Sequence, residues 1–347
     1  MKNLKTYLAL AVVMLTMNSC FINEVTGQAN IVIDQAEKDF DNIATVVVKG
    51  AFCAVNIDSH SSNTVAFKGE IKANKQRDDI KIRYEENGST LEVWIDKPNS
   101  YRGSFKGMLD FKVPGNTNIT VKNSSGSVYV ANIGQSIVDL SASSGSVKAE
   151  NIDSNLKVSA SSGSIKAINI SGNLTSTCSS GSQYLSKIGG ETRATCSSGS
   201  IKMEDIKGNV TTTCSSGSQN IKMIAGNVKA TASSGSLNIS GIKGDVTAKA
   251  SSGSIKLRDI EGALKVNTSS GGQYGENISL TGNSSFKSSS GGIKMGLTNG
   301  SEELSFDLTA SSGGLQAKGT NGKKKLKIDK GGILITGVSS SGGQKYY

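Results

Sequence analysis

Gly199 to Ser216 reads GSIKMEDIKGNVTTTCSS. Ile201 and Met203 alternate with Ser200 and Lys202, and Val210, Thr212 and Cys214 alternate with Thr211 and Thr213. Period-two alternation marks a strand with one buried face. Ile206 lies between the two runs and is followed by the turn residues Lys207-Gly208-Asn209. The stretch therefore predicts two short strands and two corners. Glycine at both corners implies positive φ, which it adopts without a Cβ clash.

The stretch is one unit of a repeat. Ser-Ser-Gly recurs with its glycine at Gly145, Gly163, Gly181, Gly199, Gly217, Gly235, Gly253 and Gly271, always 18 residues apart. Gly126 precedes the series, and Gly291, Gly313 and Gly342 follow it at wider spacings. Seven places after each regular glycine stands an isoleucine, from Ile152 and Ile170 through Ile206 to Ile278. The second strand opens on Leu156, Leu174, Thr192, Val210, Val228, Val246 and Leu264, and ends inward on Ala160, Cys178, Cys196, Cys214, Ala232, Ala250 and Thr268. A fixed period of this length marks a solenoid. One unit cannot bury its own apolar face, so stacked neighbours must supply the other half of the core. No 3.6-residue periodicity competes with this reading. The fold class is all-β: a parallel β-helix or solenoid with 18-residue rungs, an irregular β cap at the N-terminal end and longer, degenerate rungs at the C-terminal end.

Four segments follow. Residues 1–19 read as a lipoprotein signal peptide: Lys2 and Lys5 form the positive start, Leu8 to Met17 the apolar run, and Asn18-Ser19 leads to Cys20, the residue to be lipidated. The apolar run is too short to span a membrane as a helix. Cleavage there removes two of the ten net positive charges of the 347-residue chain. Residues 20–30 are a polar tether. Residues 31–115 form a β-rich region and cap, with strand patterns at Thr45–Val48, Ala54–Ile57, Thr64–Phe67, Ile80–Tyr84 and Leu91–Ile95 and a hairpin turn at Glu86-Asn87-Gly88-Ser89. Trp94, the single tryptophan, reads as a cap residue closing the core, with ligand stacking as the alternative. Residues 116–347 are the solenoid. In its last part Asn299-Gly300 and Asn321-Gly322 read as hairpin tips, and Tyr346-Tyr347 as a cover over the open end.

Residues with chemistry are few. Cys178, Cys196 and Cys214 occupy one inward position where other rungs hold alanine. That favours small buried hydrophobes over a metal site, and no metal or other cofactor is expected. His60, the only histidine, lies in a serine-rich loop without the partners of a triad. Outward acids such as Asp139, Glu150, Asp153, Glu204, Asp245, Asp259 and Glu261 are scattered, where a polysaccharide-cleaving β-helix needs them clustered. One outward position is more regular. Lys148, Lys166, Tyr184, Lys202, Lys256, Tyr274 and Lys294 stand three places after their glycines, with Asn220 and Asn238 between. Such a column suits an acidic glycan or lipid head group; a merely solvated face is the plainer alternative. On the second strand a threonine array resembling a water-ordering surface is interrupted by Lys157, Arg193, Lys229, Lys249 and Lys265. Charge this thinly spread, with little aromatic interleaving, argues against nucleic acid.

The lead-in Phe111-Lys112-Val113-Pro114, the segment from Thr120 to Val128 and the Ser-Ser-Gly-Ser-Ile-Lys rungs carry a family resemblance. The chain after its leader resembles the adhesin-like β-strand-repeat family of bacterial exported proteins, a domain of unknown function. It is also similar to the auto-transporter-adhesin-like head domain of Bacteroidetes lipoproteins. The resemblance implies a right-handed parallel stack and an envelope location, and brings no catalytic residues. The functional expectation is a non-enzymatic envelope lipoprotein. It would be held in the outer membrane through a lipid at Cys20 and would present flat β faces to an acidic glycan or an envelope protein. The alternative is a carbohydrate-active enzyme with its site in the irregular terminal coils.

Overall fold

The computed structural model describes residues 27–347; the expected signal peptide, Cys20 and most of the expected tether lie outside the described residues. Two sheets of 17 and 16 strands enclose one core. Each regular rung gives one strand to each sheet. Ile201–Ile206 joins the first, here sheet A, and Val210–Cys214 joins the second, sheet B. Pairing between rungs is parallel and keeps the 18-residue register, with Ile188 beside Ile206 beside Ile224, and Cys178 beside Cys196 beside Cys214. The isoleucine ladder is buried throughout.

The residue before each ladder isoleucine is in the left-handed region. Asn151, Asn169, Lys187, Asp205, Met223, Asp259 and Asn277 have φ between 52° and 60°, and Gly241 has 65°. The register skips this residue, pairing Glu204 with Lys222 and then Ile206 with Ile224. A kink there turns the isoleucine inward, so the strand leaves the sheet with its last side chain in the core. Asparagine tolerates this conformation better than most side chains, and it also stacks. Asn151 donates to Asn132 (2.8 Å) and Asn169 to Asn151 (2.9 Å). At the other turn the backbone N–H groups of Asn173, Glu191, Asn227 and Asp245 each donate to the asparagine Oδ1 one rung below, at 2.8–2.9 Å.

The Ser-Ser-Gly glycines act for a different reason than the one expected. From Gly126 to Gly291 none of them has positive φ. A Cβ on Gly199 would lie 2.6 Å from the carbonyl carbon of Gly181 and closer still to its oxygen, and Gly181 and Gly217 are hemmed in the same way. The corner demands glycine because successive rungs pass backbone against backbone. The core also holds amides. Gln183, Gln219, Gln273 and Gln344 are buried two places after their glycines, where other rungs carry Val, Ile or Leu. Gln183 accepts from the Ser176 hydroxyl (2.6 Å) and donates to the Thr195 carbonyl (2.6 Å); Gln219 repeats this with Thr212 and Thr231.

At both ends the stacking order departs from chain order. The coil Thr45–Ala51 and Ala54–His60 lies between Thr90–Asp96 with Phe105–Pro114 on one side and Asn118–Asn123 with Val128–Ile133 on the other. Outside it the cap turns antiparallel: Ile31–Phe40 pairs with Val65–Ala73, and Lys81–Asn87 with Thr90–Asp96 through the expected turn at Gly88. Trp94 lies on this last strand between the buried Val93 and Ile95 and faces outward, half-buried, so it does not close the core. The core of the cap is Phe40, Phe67 and Phe111.

The C-terminal end mirrors this. Ile333–Ser339 inserts between Ser284–Ser288 and Leu304–Ala310, and Gln344–Tyr346 inserts between Ile293–Leu297 and Leu315–Ala317. Tyr346 therefore does not cover an open end. It is fully buried inside the stack, with its ring 5.6 Å from Phe286 and 5.7 Å from Phe306. The outermost coil ends in antiparallel strands, Thr320–Gly322 and Lys325–Ile328. The hairpin tip is Lys318-Gly319, both at positive φ, so Asn321-Gly322 sits on the return strand. Asn299-Gly300 is a corner between the sheets, where Asn299 donates to Leu280 (3.1 Å) and Glu303 (3.0 Å).

Candidate functional site

The parallel register assembles the expected lysine–tyrosine column on the outer face of sheet A. Lys148 lies beside Lys166, Lys166 beside Tyr184, Tyr184 beside Lys202, and the line continues through Asn220, Asn238, Lys256 and Tyr274 to Lys294. Tyr129 extends it at one end and Lys345 at the other. The seven residues read from the sequence thus share one face, but not one electrostatic environment.

In the N-terminal half of the column Lys148 and Lys202 are paired with carboxylates, and Lys166 is met only by a tyrosine ring. Lys148 pairs with Glu150 (2.9 Å) and lies over the Tyr129 ring (4.9 Å). Its hydrogen bond to Glu150 holds the ammonium above its ordinary pKa. Lys202 stands 3.5 Å from Glu204 and 4.9 Å over the Tyr184 ring, with Lys166 at 6.0 Å from the same ring. The Tyr184 hydroxyl donates to Glu204 and, with Lys202, keeps that carboxyl below its usual range.

Beyond Lys202 the compensation stops. The next outward position along the strand changes from Glu204 to Lys222, Ser240 and Arg258. Among the described residues Lys222, Lys256 and Lys294 form no ion pair, and Arg258 meets Glu276 at 3.1 Å. These side chains border a groove of about 520 Å³ whose walls include Asn220, Asn238, Tyr274 and Tyr347. The Tyr274 ring folds over the bare backbone of Gly272, is 48% exposed and, among the described residues, has no cation over it. Tyr347 lies against Gly296 in the same manner, 5.6 Å from the Lys294 ammonium. An open aromatic face beside three uncompensated ammonium groups and two amides can hold a ring that carries an anion.

Tyr129 and Lys345 were legible in the sequence, since each stands three places after its own glycine. Lys222 and Arg258 could have been found by following the position two further on. Tyr347 stands at that same place after Gly342, and the inserted last coil sets it against Lys294.

The cysteines, His60 and the cap acids each have local surroundings of their own. Cys53, Cys178, Cys196 and Cys214 are free and buried. Cys214 donates to the Gly199 carbonyl (3.2 Å) and accepts from the Gly217 N–H (3.2 Å), so these thiols cap the glycine corners. Burial pushes Cys53 up to about 12, and burial followed by its neighbour Cys214 pushes Cys196 up to about 11. His60 is engaged with the Thr64 carbonyl (2.7 Å). A cap groove of about 360 Å³ contains Glu37, Glu70 and Asp110. Each acid there is held, by Lys68 (3.3 Å), Lys72 (2.6 Å) and the Asn56 amide (2.6 Å) respectively.

The sequence matches the Toastrack DUF4097 family over residues 26–224 and again over residues 208–345. The chain belongs to the Toastrack family. The two Toastrack matches together span nearly all the described rungs and overlap within the regular repeat. No curated protein matches the sequence. Three solved structures are similar, each aligned over 90% of this chain and 97% of its own length. They are a proposed cell adhesion protein from Clostridium sporogenes (11% identity, TM-score 0.20), a proposed adhesin from Bacteroides fragilis (10%, 0.26) and a proposed lipid-binding protein from Parabacteroides distasonis (11%, 0.25). Toastrack membership rests on the family match alone.

Proposed function

We propose that this protein is a non-enzymatic, adhesin-like binding module of the cell envelope, tethered by lipid at Cys20, and that its sheet A groove holds an acidic glycan. One observation carries the reading. Among the described residues Lys222, Lys256 and Lys294 have no carboxylate partner and surround an open tyrosine, with Arg258 beside them paired to Glu276, while Lys148 and Lys202 are neutralised. Tyr274 supplies an apolar platform for a sugar ring. Lys256 and Lys222 supply the charge, and Asn220 and Asn238 supply amides for hydroxyl groups.

The test is a glycan array probed with the chain that begins after Cys20, at low and moderate salt. Binding should fall with salt. It should be lost in K222Q/K256Q/K294Q and in Tyr274→Ala, and kept in K148Q/K202Q. Equal binding by the groove variant and the unaltered chain would refute this site.

A further inference from the structure

The outer face of sheet B carries a second pattern. On seven successive rungs the first outward residue of the strand is Lys157, Thr175, Arg193, Thr211, Lys229, Thr247 and Lys265, and the parallel register sets each directly beside the next. Cation and threonine alternate without a break. All four cations are exposed. Two rungs at one strand spacing each separate successive cations by about 9.6 Å. Lys157, at the end of the row, pairs with Asp139 (2.8 Å). Among the described residues Arg193, Lys229 and Lys265 form no ion pair, and no acid points outward from sheet B between Lys157 and Lys287. The second outward row is serine or threonine from Ser159 to Thr231 and then adds Lys249 and Lys287.

Charges this far apart are screened from one another at physiological ionic strength, where the Debye length is about 8 Å. The row therefore costs the fold little while its potential adds along the sheet. We propose that this face is a docking surface for a linear polysaccharide with one anionic group per disaccharide, lying along the stacking axis. Two sugar rings of an extended chain span close to two rungs. An anion on every second ring then meets Arg193, Lys229 and Lys265 in turn, and Thr175, Thr211 and Thr247 offer hydroxyls to the rings between. A polymer charged on every ring would set half its anions on threonine. The surface shares no residue with the sheet A groove and does not depend on it.

The decisive comparison keeps charge and changes spacing. T211K/K229T carries the same net charge as the unaltered chain but moves the middle cation one rung, and R193Q/K229Q/K265Q removes three cations. Each is titrated by calorimetry against hyaluronan (one carboxylate per disaccharide), κ-carrageenan (one sulfate per disaccharide) and polygalacturonate (a carboxylate on every ring). Melting curves, unchanged for these outward-facing substitutions, check the fold. The expected result is binding to hyaluronan or κ-carrageenan, the two together showing which anion is preferred. It should weaken about tenfold in the triple variant, the sum expected of three exposed charge pairs, and about twofold in the spacing variant, which displaces one of them. Equal affinity of the spacing variant and the unaltered chain, or preference for polygalacturonate, overturns the proposal. So does the absence of binding to both alternately charged polymers. Loss of binding in K222Q/K256Q/K294Q but not in R193Q/K229Q/K265Q assigns the polysaccharide to the sheet A groove and also overturns it.

Discussion

Replacing Gly199 by alanine tests the cause assigned to the Ser-Ser-Gly corner. The added methyl would sit 2.6 Å from the Gly181 carbonyl carbon, with the Gly181 oxygen nearer still. Carbon atoms in contact prefer about 3.5–4.0 Å, so the two rungs must part by roughly 1 Å at this corner. Neither partner can step aside, because both are backbone. The bonds that cross this corner are Ser197 N–H to Cys178 (3.2 Å), Ser198 N–H to Ser179 (2.8 Å) and Gln183 N–H to Ser200 (2.9 Å). Lengthening all three by 1 Å breaks them. At about 1 kcal/mol net each, the loss is about 3 kcal/mol, at the upper end of overpacking penalties. Guanidinium unfolding followed by circular dichroism reads it against two controls. Gly115→Ala has open space and no positive φ, and should stay within about 0.5 kcal/mol of the unaltered protein. Gly88→Ala also has open space but φ of 59°, so it should cost roughly 1 kcal/mol through conformation alone. If Gly199→Ala unfolds with Gly115→Ala, or costs less than Gly88→Ala, the corner is not a contact device and the stacking distance argued here is wrong.

Gln219→Met keeps the volume but strips the Thr212 hydroxyl and the Thr231 carbonyl of their partner. It should lower unfolding stability by about 1–3 kcal/mol, whereas Gln219→Glu should cost more near neutral pH by burying a charge. Cys53 is raised from an ordinary 9.0 to about 12 by burial. Its protonated form therefore stabilises the fold fully below pH 9, and that contribution is lost as pH rises from 9 towards 12. The slope should approach about 1.4 kcal/mol per pH unit, and chemical unfolding of Cys53→Ala across this range should show a flatter decline.

The repeat made the middle of the fold legible. An eighteen-residue register with isoleucine at one fixed place leaves only one way to stack, and Ile152 to Ile278 stack that way. The ends were less legible because nothing local distinguishes a coil that follows its neighbour from one that slips beneath it. The wide spacing from Gly313 to Gly342 gave length without direction. That length is spent on Thr320–Gly322 and Lys325–Ile328, which double back before the chain re-enters at Ile333. Trp94 was misplaced for a related reason. Its rank as the only tryptophan suggested a core role, while its parity on Leu91-Glu92-Val93-Trp94-Ile95 already pointed it outward. The column was legible from the same offset that gave the ladder. Its division into paired and unpaired cations was legible too, since Glu150 and Glu204 stand two places beyond their lysines on the same strand face, where later rungs carry Lys222 and Ser240.

The reversed coils at the two ends bear on how long flat faces can remain exposed at all. A parallel stack cut square presents two rows of unpaired N–H and C=O groups, and such edges recruit further strands. Here each terminal coil is finished by an antiparallel strand, Ile31–Phe40 and Lys81–Asn87 at one end, Thr320–Gly322 and Lys325–Ile328 at the other. Lys323, Lys324, Lys325 and Lys327 place charge on the C-terminal edge, where an incoming strand would have to bury it. The inserted coil adds a second constraint. Tyr346 and Gln344 are locked between rungs on both sides, so the outermost coil is reached only through a layer the C-terminus itself completes. With charge on the C-terminal edge disfavouring strand addition, the sides of the stack are the long continuous surfaces, and both carry cations in register. On the two binding sites proposed above, the same ends that discourage strand addition leave sheets A and B for a partner to lie along lengthwise.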